Sequence, residues 1–271
     1  MCKSDLKKAQ KLMLSMLRDI DRICRENDID YWLESGTLLG AVRHGGFIPW
    51  DDDIDIGMIR KDYLKFLDIV EENLPDDLYM NYAQNDDSAT FSFLKIRHKY
   101  SKLEQTTNLS TNNGIFIDIF PYDYYDEKDK DYSKKNRAKL LTTILTLGAE
   151  KKDDNFTRNI KRNICGIFNK IIDTKKYNKL IRDNQVYAKK NINKTGKLIG
   201  YGMEMGEFDL LLSADMFFPL KEIGFEGLKF KCPNKSFEYL TSLYGSNFMD
   251  LPKKEDRNCH NEGIYIYKDR E

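Results

Sequence analysis

The sequence lacks an excess of charge of either sign. It has 44 Lys and Arg against 44 Asp and Glu in 271 residues, so the formal net charge is zero. A chain without a net positive field is a poor general binder of nucleic acid, and we expect no nucleic-acid partner. Long apolar runs are also missing, since none reaches the roughly 18 residues that a membrane-spanning helix needs. We expect no transmembrane segment and leave a peripheral contact with the membrane open.

Cysteine is sparse and scattered. The five cysteines are odd in number and form no Cys-x-x-Cys pair. Such usage is typical of a reducing compartment, and it predicts neither structural zinc nor disulfides. The first residues lead into a charged amphipathic segment and not into the apolar core of a signal peptide. We therefore expect a cytoplasmic protein, with the inner face of the membrane as an open alternative.

Acidic residues, in contrast, are concentrated in one place. Asp51–Asp53 and Asp55 put four carboxylates within five positions. Such close like charges raise one another's pKa, and a divalent cation offsets the repulsion because hard cations bind carboxylate oxygens. On a strand, Asp53 and Asp55 would share one face, while Ile54 and Ile56 would share the other. The pattern predicts a catalytic metal site on a strand.

Two other interpretations of the acidic run stay open. It could be a solvated acidic turn, or a calcium loop in which Asp51, Asp53 and Asp55 take the first three ligand positions of an EF-hand. Against the calcium loop, Ile56 stands where the invariant glycine belongs, and Asp62 replaces the terminal glutamate. The alternation of acidic and apolar residues favours the strand.

Hydrophobic periodicity and turn residues predict the surrounding elements. We expect helices from Ser4 or Asp5 to about 26, over 37–43 (capped by Ser35 or Thr37), from about 63 to 74, and over 237–243. We expect strands over 30–34, 78–82, 91–96 and 115–120, the last ended by Pro121, and a hairpin over 217–232 with Gly224 and Gly227 near its bends. The fold class is therefore α/β (α+β), a mixed sheet with flanking helices. Residues 1–271 form one domain, with a helical insertion at about 130–192.

A third acid and a glycine turn complete the candidate site. Asp118 lies within an apolar strand, where a lone buried carboxylate would be costly, so we interpret it as a metal ligand or a general base. Gly36 allows close approach of the backbone, and the N–H groups that open the next helix suit a phosphate. Phosphoryl transfer requires chiefly positioning and neutralisation of charge, which carboxylates and a metal can supply.

These segments resemble the LicD family of phosphocholine transferases, a group within the nucleotidyltransferase-fold superfamily that includes fukutin-related proteins. The resemblance rests on GTLLGAVRHGGFIPWDDDID at residues 36–55 and on GIFIDIFP at residues 114–121. It implies a nucleotidyltransferase-type core that binds Mg²⁺, with Mn²⁺ as an alternative. It makes Asp53 and Asp55 the metal pair and Asp118 the third carboxylate, all three catalytic. Gly36 and Thr37 would then form the turn beside the phosphates.

The family chemistry implies transfer of a phospho-alcohol, phosphocholine first, from a CDP-linked donor such as CDP-choline to a glycan hydroxyl, with release of CMP. The acceptor would belong to a cell-surface polysaccharide, such as lipopolysaccharide or teichoic acid, or to its lipid-linked precursor. Fukutin-like members use CDP-ribitol, so the alcohol stays open. One alternative is transfer of a nucleotide from a nucleoside triphosphate. A further alternative is a non-catalytic metal- or sugar-binding protein.

Four further residues are candidates for binding substrate. Arg43, Lys95 and Arg97 could contact a diphosphate, because charge-assisted hydrogen bonds to phosphate are strong, or they could be salt-bridge partners of the acids. His260 could be a substrate contact or a plain surface residue.

Overall fold

The structure is a computed structural model that describes residues 3–82, 93–105, 113–125, 196–202, 205, 210–257, 259, 261–268 and 270, with a few isolated positions between 144 and 189. Apart from those isolated positions, the predicted helical insertion at about 130–192 lies outside the described residues. The same is true of His260.

Four of the described helices lie where the periodicity predicts them, and a short helix at Ala214–Phe217 was not predicted. Their bounds are α1 (Lys3–Glu26), α2 (Ser35–His44), α3 (Arg60–Asn73), α4 (Ala214–Phe217) and α5 (Ser236–Tyr244), with a 3₁₀ turn at Lys254–Asp256. The apolar positions of α1, among them Met13, Leu17 and Ile20, are fully buried. The helix ends where Asp28 adopts a positive φ of 48°. Neither Ser35 nor Thr37 caps α2: the residue before the helix is Glu34, and it makes no capping bond with its side chain.

The central sheet is mixed, which confirms the predicted α/β class. Its path runs β1-β2-β6-β4-β3, with β7 pairing to β6 and β8 to β7. Only the β2–β6 pair is parallel among the described pairs. The strands are β1 (Trp32–Leu33), β2 (Asp55–Ile59), β3 (Leu78–Asn81), β4 (Leu94–His98), β5 (Ser101–Gln105), β6 (Phe116–Tyr125), β7 (Leu198–Tyr201), β8 (Leu211–Ser213), β9 (Lys221–Phe225), β10 (Leu228–Cys232) and β11 (Asn261–Ile266).

The predicted end of a strand at Pro121 is wrong, since β6 continues to Tyr125. The reason lies in the pairing along one edge of β6. Its ladder with β4 ends at Ile119, and its ladder with β7 begins at Tyr122. Pro121 falls in the gap between these ladders, where its missing N–H costs no ladder bond, and its carbonyl accepts a hydrogen bond from Gly202 at 2.7 Å.

Two further boundaries differ from the prediction. Asp53 lies two residues before β2 and not within it, although the burial still alternates: Ile54 and Ile56 are buried, and Asp53 and Asp55 are half-buried. The β9–β10 hairpin bends at Glu226 and Gly227, both with positive φ, and not at Gly224. This two-residue turn needs left-handed backbone at both positions, which glycine supplies without strain.

Helices pack against β2 and its neighbouring strands. Helix α3 packs on β2 and β6, α1 packs on β6, and α2 lies against β2 and the β9–β10 hairpin. Within the part of the chain that the structure describes, no helix is both long and apolar enough to cross a membrane.

Candidate active site

The candidate site lies where three strands of the central sheet run side by side. In the parallel β2–β6 pair, Asp55 is the register partner of Asp118. In the antiparallel β4–β6 pair, Lys95 is the register partner of the same Asp118. Register partners point to the same face of a sheet, so two carboxylates and one ammonium group converge there. The sequence predicted the convergence of Asp55 and Asp118, and the structure places both on one face.

Asp118 and Lys95 form a buried ion pair. The Lys95 Nζ donates to Asp118 Oδ1 at 2.5 Å, and the exposed fractions of the two side chains are 9% and 10%. The same ammonium lies 3.8 Å from the ring centre of Phe116 and 4.7 Å from that of Phe93. Burial raises the pKa of Asp118, and the ammonium of Lys95 opposes that rise. Lys95 therefore stabilises the ionised form of Asp118.

Asp55 has the opposite environment. Burial raises its pKa well above the usual range, and the negative charges of Asp53, Asp118 and Asp51 raise it further. No cation is among the groups that act on it most strongly. The carboxylates near Asp55 thus concentrate negative charge at the start of β2, and a group that brings positive charge to this point would be bound strongly.

The start of α2 is tied to the start of β2. The Thr37 Oγ1 accepts a hydrogen bond from the backbone N–H of Asp55 at 2.9 Å. A Cβ built on Gly36 would lie 3.2 Å from Asp51 Oδ2, so the carboxylate of Asp51 lies directly against this glycine. The predicted turn is therefore beside the acids. Thr37 acts there by fixing the Asp55 backbone, a contact that the sequence did not predict.

Two side chains that the sequence analysis missed hold the loop before β2. Buried Gln10 donates from Nε2 to the carbonyls of Asp51 at 2.8 Å and Ile48 at 3.3 Å. On the other side of the loop, Glu226 accepts from the N–H of Phe47 at 3.0 Å, and its own N–H donates to the carbonyl of Gly45 at 2.9 Å. Gln10 had a signal, because it is a polar residue within the apolar stripe of α1. Glu226 had none.

Glu34 is a further residue that was missed. Its side chain is fully buried beneath the start of α2. It accepts hydrogen bonds from Trp32 Nε1 at 2.7 Å, from Tyr201 Oη at 3.0 Å and from the hydroxyl of Tyr239. Burial raises the pKa of Glu34, and these donors oppose the rise. The donors are neutral, so Glu34 is held by hydrogen bonds and not by an opposite charge.

The remaining predicted residues lie in different surroundings. Arg43 donates from Nη1 to the carbonyls of Phe248 at 2.9 Å and Asp250 at 3.2 Å, which ties α2 to the loop after α5. Arg97 is buried and donates to Asn81 Oδ1 and to the carbonyl of Gly114, both at 2.9 Å. These contacts are structural, and contact of either arginine with substrate stays a prediction. His260 lies outside the described residues.

The donor set fits a divalent cation that substrate helps to bind. Among the described residues, no group of three or more His, Cys, Asp or Glu side chains is arranged as a ready-made metal cage. Mg²⁺ does not need one, because it is usually bound by one or two carboxylates together with water and substrate phosphates. Asp55 with its neighbouring acids supplies carboxylate oxygen and unneutralised charge, which is the ligand chemistry that Mg²⁺ prefers.

Comparison with known proteins shows which family the candidate site resembles. The model of the LicD/FKTN/FKRP nucleotidyltransferase domain matches residues 28–144, a range that contains Asp53, Asp55, Lys95 and Asp118. Residues 28–144 are therefore similar to the domain that defines the LicD family. The match begins just before β1 and includes all of β2, β4 and β6, so the strands that carry the candidate site lie within the matched region.

Three relatives show how far the similarity extends. The lipopolysaccharide cholinephosphotransferase LicD of Haemophilus influenzae is 28% identical over 265 residues, which cover 96% of this chain and 97% of the relative. The ribitol-5-phosphate transferase FKTN of Mus musculus is 26% identical over 132 residues, 48% of this chain and 24% of the relative. The human ribitol 5-phosphate transferase FKRP is 59% identical over 34 residues, 12% and 7% of the two chains. Similarity to the LicD protein thus spans almost the whole chain, and similarity to the ribitol-phosphate transferases is local.

Proposed function

We propose that this protein is a phosphotransferase that moves a phospho-alcohol from a CDP-linked donor to a hydroxyl of a glycan. Phosphocholine is the first choice for the transferred group. The relatives are named as transferases of phosphocholine or ribitol phosphate, which supports phosphotransfer onto glycans. The long similarity to the LicD protein favours phosphocholine over ribitol phosphate. The single observation that carries the proposal is the side-by-side placement of Asp55 and Asp118, with Lys95 on the same face.

In the proposed reaction, the acceptor hydroxyl attacks the phosphorus that carries the alcohol. A new P–O bond forms to the glycan, the P–O bond to the bridging oxygen of the diphosphate breaks, and CMP leaves with that oxygen. The proton of the hydroxyl passes to a base. Asp118 is the candidate base or a metal ligand, because it lies beside Asp55 and Lys95 stabilises its ionised form.

The proposed cofactor is Mg²⁺, with Mn²⁺ as an alternative. Asp53 and Asp55 would hold the ion, with Asp118 as a third carboxylate. When bound, the ion would neutralise negative charge on the diphosphate and on the leaving CMP. The chain itself would position this group, since Thr37 fixes the backbone of Asp55, and Gln10 fixes the loop that carries Asp51.

A donor screen tests the proposal. Purified protein is incubated with Mg²⁺ and, in turn, CDP-choline, CDP-ribitol, CDP-glycerol and nucleoside triphosphates, and thermal stability and released nucleotide are measured. We expect a CDP-alcohol to raise the melting temperature by mass action, and CMP to appear when an acceptor glycan is added. Release of pyrophosphate from a triphosphate would establish nucleotide transfer instead. Binding of Mg²⁺ with no turnover of any donor would leave a non-catalytic protein.

A further inference from the structure

The outer face of α1 is uniformly positive. Every exposed position between residues 7 and 25 is Lys or Arg. We call these six side chains the basic face, and they are Lys7, Lys8, Lys11, Arg18, Arg22 and Arg25. At 3.6 residues per turn they fall within an arc of about 100° along one side of the helix. The whole chain has zero net charge, so this excess is a local feature of α1.

The acids of α1 do not neutralise the basic face. Asp19 and Asp21 are half-buried at its edges. Asp19 pairs with Arg270 at 2.7 Å, and Asp21 accepts from the hydroxyl of Tyr31 at 2.5 Å and from Arg25. Glu26, at the end of the helix, pairs with Arg22 at 2.9 Å. Four cations of the face make no ion pair with any described part of the chain, namely Lys7, Lys8, Lys11 and Arg18.

Exposed tyrosines lie beside the basic face. A cavity of about 340 Å³ is lined by Asp5 and Lys8 of α1 and by Tyr265 and Tyr267 at the end of β11. The two tyrosines are 45% and 70% exposed. Tyrosine suits the boundary between lipid and water, because its ring is apolar and its hydroxyl is polar. A second cavity of about 380 Å³ further along α1 is lined by Arg18, Arg22 and Arg270 together with Ser15 and with Asp19, which pairs with Arg270. Arginines in a shallow cavity match the chemistry of a lipid phosphate.

We infer that the basic face and the adjacent tyrosines bind the surface of a membrane that contains anionic phospholipid. The apolar side of α1 is buried in the protein core, so the helix cannot insert and the attraction is electrostatic. An anionic surface attracts nearby Lys and Arg side chains by about 1 kcal/mol each, or about fivefold in partition coefficient. Nucleic acid is the competing polyanion, and a DNA duplex therefore serves as the alternative ligand in the test below.

The position of α1 gives this contact a consequence for the proposed function. Gln10 holds the loop that carries Asp51 and lies between Lys7 and Lys11 on the same helix. The basic face and the candidate site are therefore joined by one rigid element. Docking through α1 would place the site close to a membrane-bound acceptor glycan; this consequence rests on the proposed function, whereas the docking itself does not.

The test is sedimentation of the full chain with phosphatidylcholine vesicles with and without phosphatidylglycerol. We expect binding only to the anionic vesicles, weakening as added salt shortens the screening length. The variant Lys7→Gln/Lys8→Gln/Lys11→Gln/Arg18→Gln should bind more than about a hundredfold more weakly, at fivefold per cation. The matched control removes four exposed lysines elsewhere, Lys61→Gln/Lys197→Gln/Lys221→Gln/Lys229→Gln, and should bind as the wild type does.

Several outcomes would overturn the inference. They are no binding of the wild type to anionic vesicles, equal binding to neutral vesicles, and equal losses in the two quadruple variants. Binding of a DNA duplex, lost in the α1 variant, with no vesicle binding would assign the face to nucleic acid instead. No donor or acceptor is present in this assay, so its failure would not affect the proposed reaction. Conversely, an inactive protein that still binds vesicles would leave the docking intact.

Discussion

A buried acid, Glu34, and a half-buried acid, Asp55, lie close together in this protein, and their surroundings are opposite. Glu34 is enclosed and accepts hydrogen bonds from neutral donors, chiefly Trp32, Tyr201 and Tyr239. Asp55 is half-buried, and Asp53, Asp118 and Asp51 repel it. The first arrangement is complete within the chain, which is typical of a structural group. The second keeps unneutralised charge at the edge of a strand, which is typical of a site that binds a cation or substrate.

Of the changes predicted here, removal of the charge of Asp55 should have the largest effect on turnover. We expect Asp55→Asn to lower turnover by about 10³-fold or more, because the change removes a ligand charge at the point where the reacting phosphate must be neutralised. Stability should not fall, since the change also removes repulsion from Asp53 and Asp118. Initial rates of CMP release and a denaturant titration measure the two effects.

A matched control is Asp62→Asn on α3, another acid whose pKa burial raises but which lies outside the site. It should keep near-normal turnover. If Asp55→Asn retained substantial activity, or if Asp62→Asn lost as much, the assignment of Asp55 would be wrong.

The second prediction concerns Glu34, where we expect the main effect on stability and not on turnover. Glu34→Ala leaves the buried Trp32 Nε1 without an acceptor. It also takes an acceptor from Tyr239 and Tyr201, which keep the hydroxyls of Tyr122 and Ser35 in reach, and each unsatisfied buried group costs about 1–3 kcal/mol. We expect the free energy of unfolding to fall by about 3 kcal/mol or more, measured by denaturant titration. If the variant were as stable as the wild type, the buried hydrogen bonds of Glu34 would not hold the start of α2.

These two groups also separate what the sequence could predict from what it could not. The density of acids at 51–55 and the lone Asp118 in an apolar run predict two carboxylates on one face, and the structure places Asp55 and Asp118 as register partners. The metal and the catalytic roles stay predictions. Local patterns carry this information, because the side chains of a strand alternate between its two faces.

The environment of Glu34 could not be predicted from the sequence, because its donors Tyr201 and Tyr239 are more than 160 residues away along the chain. The strand through Pro121 was missed for a similar reason, since its tolerance depends on which strands pair with β6 on either side. The basic face of α1 is visible in the spacing of its cations. It was overlooked because the prediction of α1 used only the apolar positions.

The third prediction addresses Lys95, the cation that pairs with Asp118. Lys95→Met keeps most of the volume of Lys95 but leaves Asp118 without its ammonium partner. We expect stability to fall by about 2 kcal/mol, less than for a fully enclosed pair because the site opens to solvent. We also expect kcat to fall by about tenfold or more, as Asp118 becomes harder to ionise.

Lys95→Arg separates two roles of this residue. It restores positive charge, so it should recover stability and much of kcat if Lys95 acts by pairing with Asp118. A rise in KM for the donor in both variants, with kcat unchanged, would instead assign Lys95 to binding the diphosphate.

The smallest predicted effect is a change in the pH dependence of stability, which reports the pKa of Glu34 in the folded protein. Burial raises the pKa of Glu34, so the folded protein holds its proton more tightly than the unfolded chain does. Its contribution to stability is therefore complete below the unfolded pKa of about 4.3, and it is lost as pH rises towards the folded pKa. Glu34→Gln does not titrate. The stability of the variant relative to wild type should rise over that range, by about 1.4 kcal/mol for each unit of pKa difference.

Only the slope matters in this comparison, so a constant penalty for the amide does not disturb it. Denaturant titrations of both proteins at several pH values from about 4 to about 7 give the difference directly. A difference that is flat with pH would mean that the donors from Trp32, Tyr201 and Tyr239 fully offset burial and that Glu34 is ionised at its ordinary pKa. A difference that falls with pH would mean that the hydrogen-bond donors lower the pKa of Glu34 by more than burial raises it. Glu34 would then be a stabilised buried charge. In that case the contrast with Asp55 would be between a charge satisfied by hydrogen bonds and a charge left for substrate to satisfy.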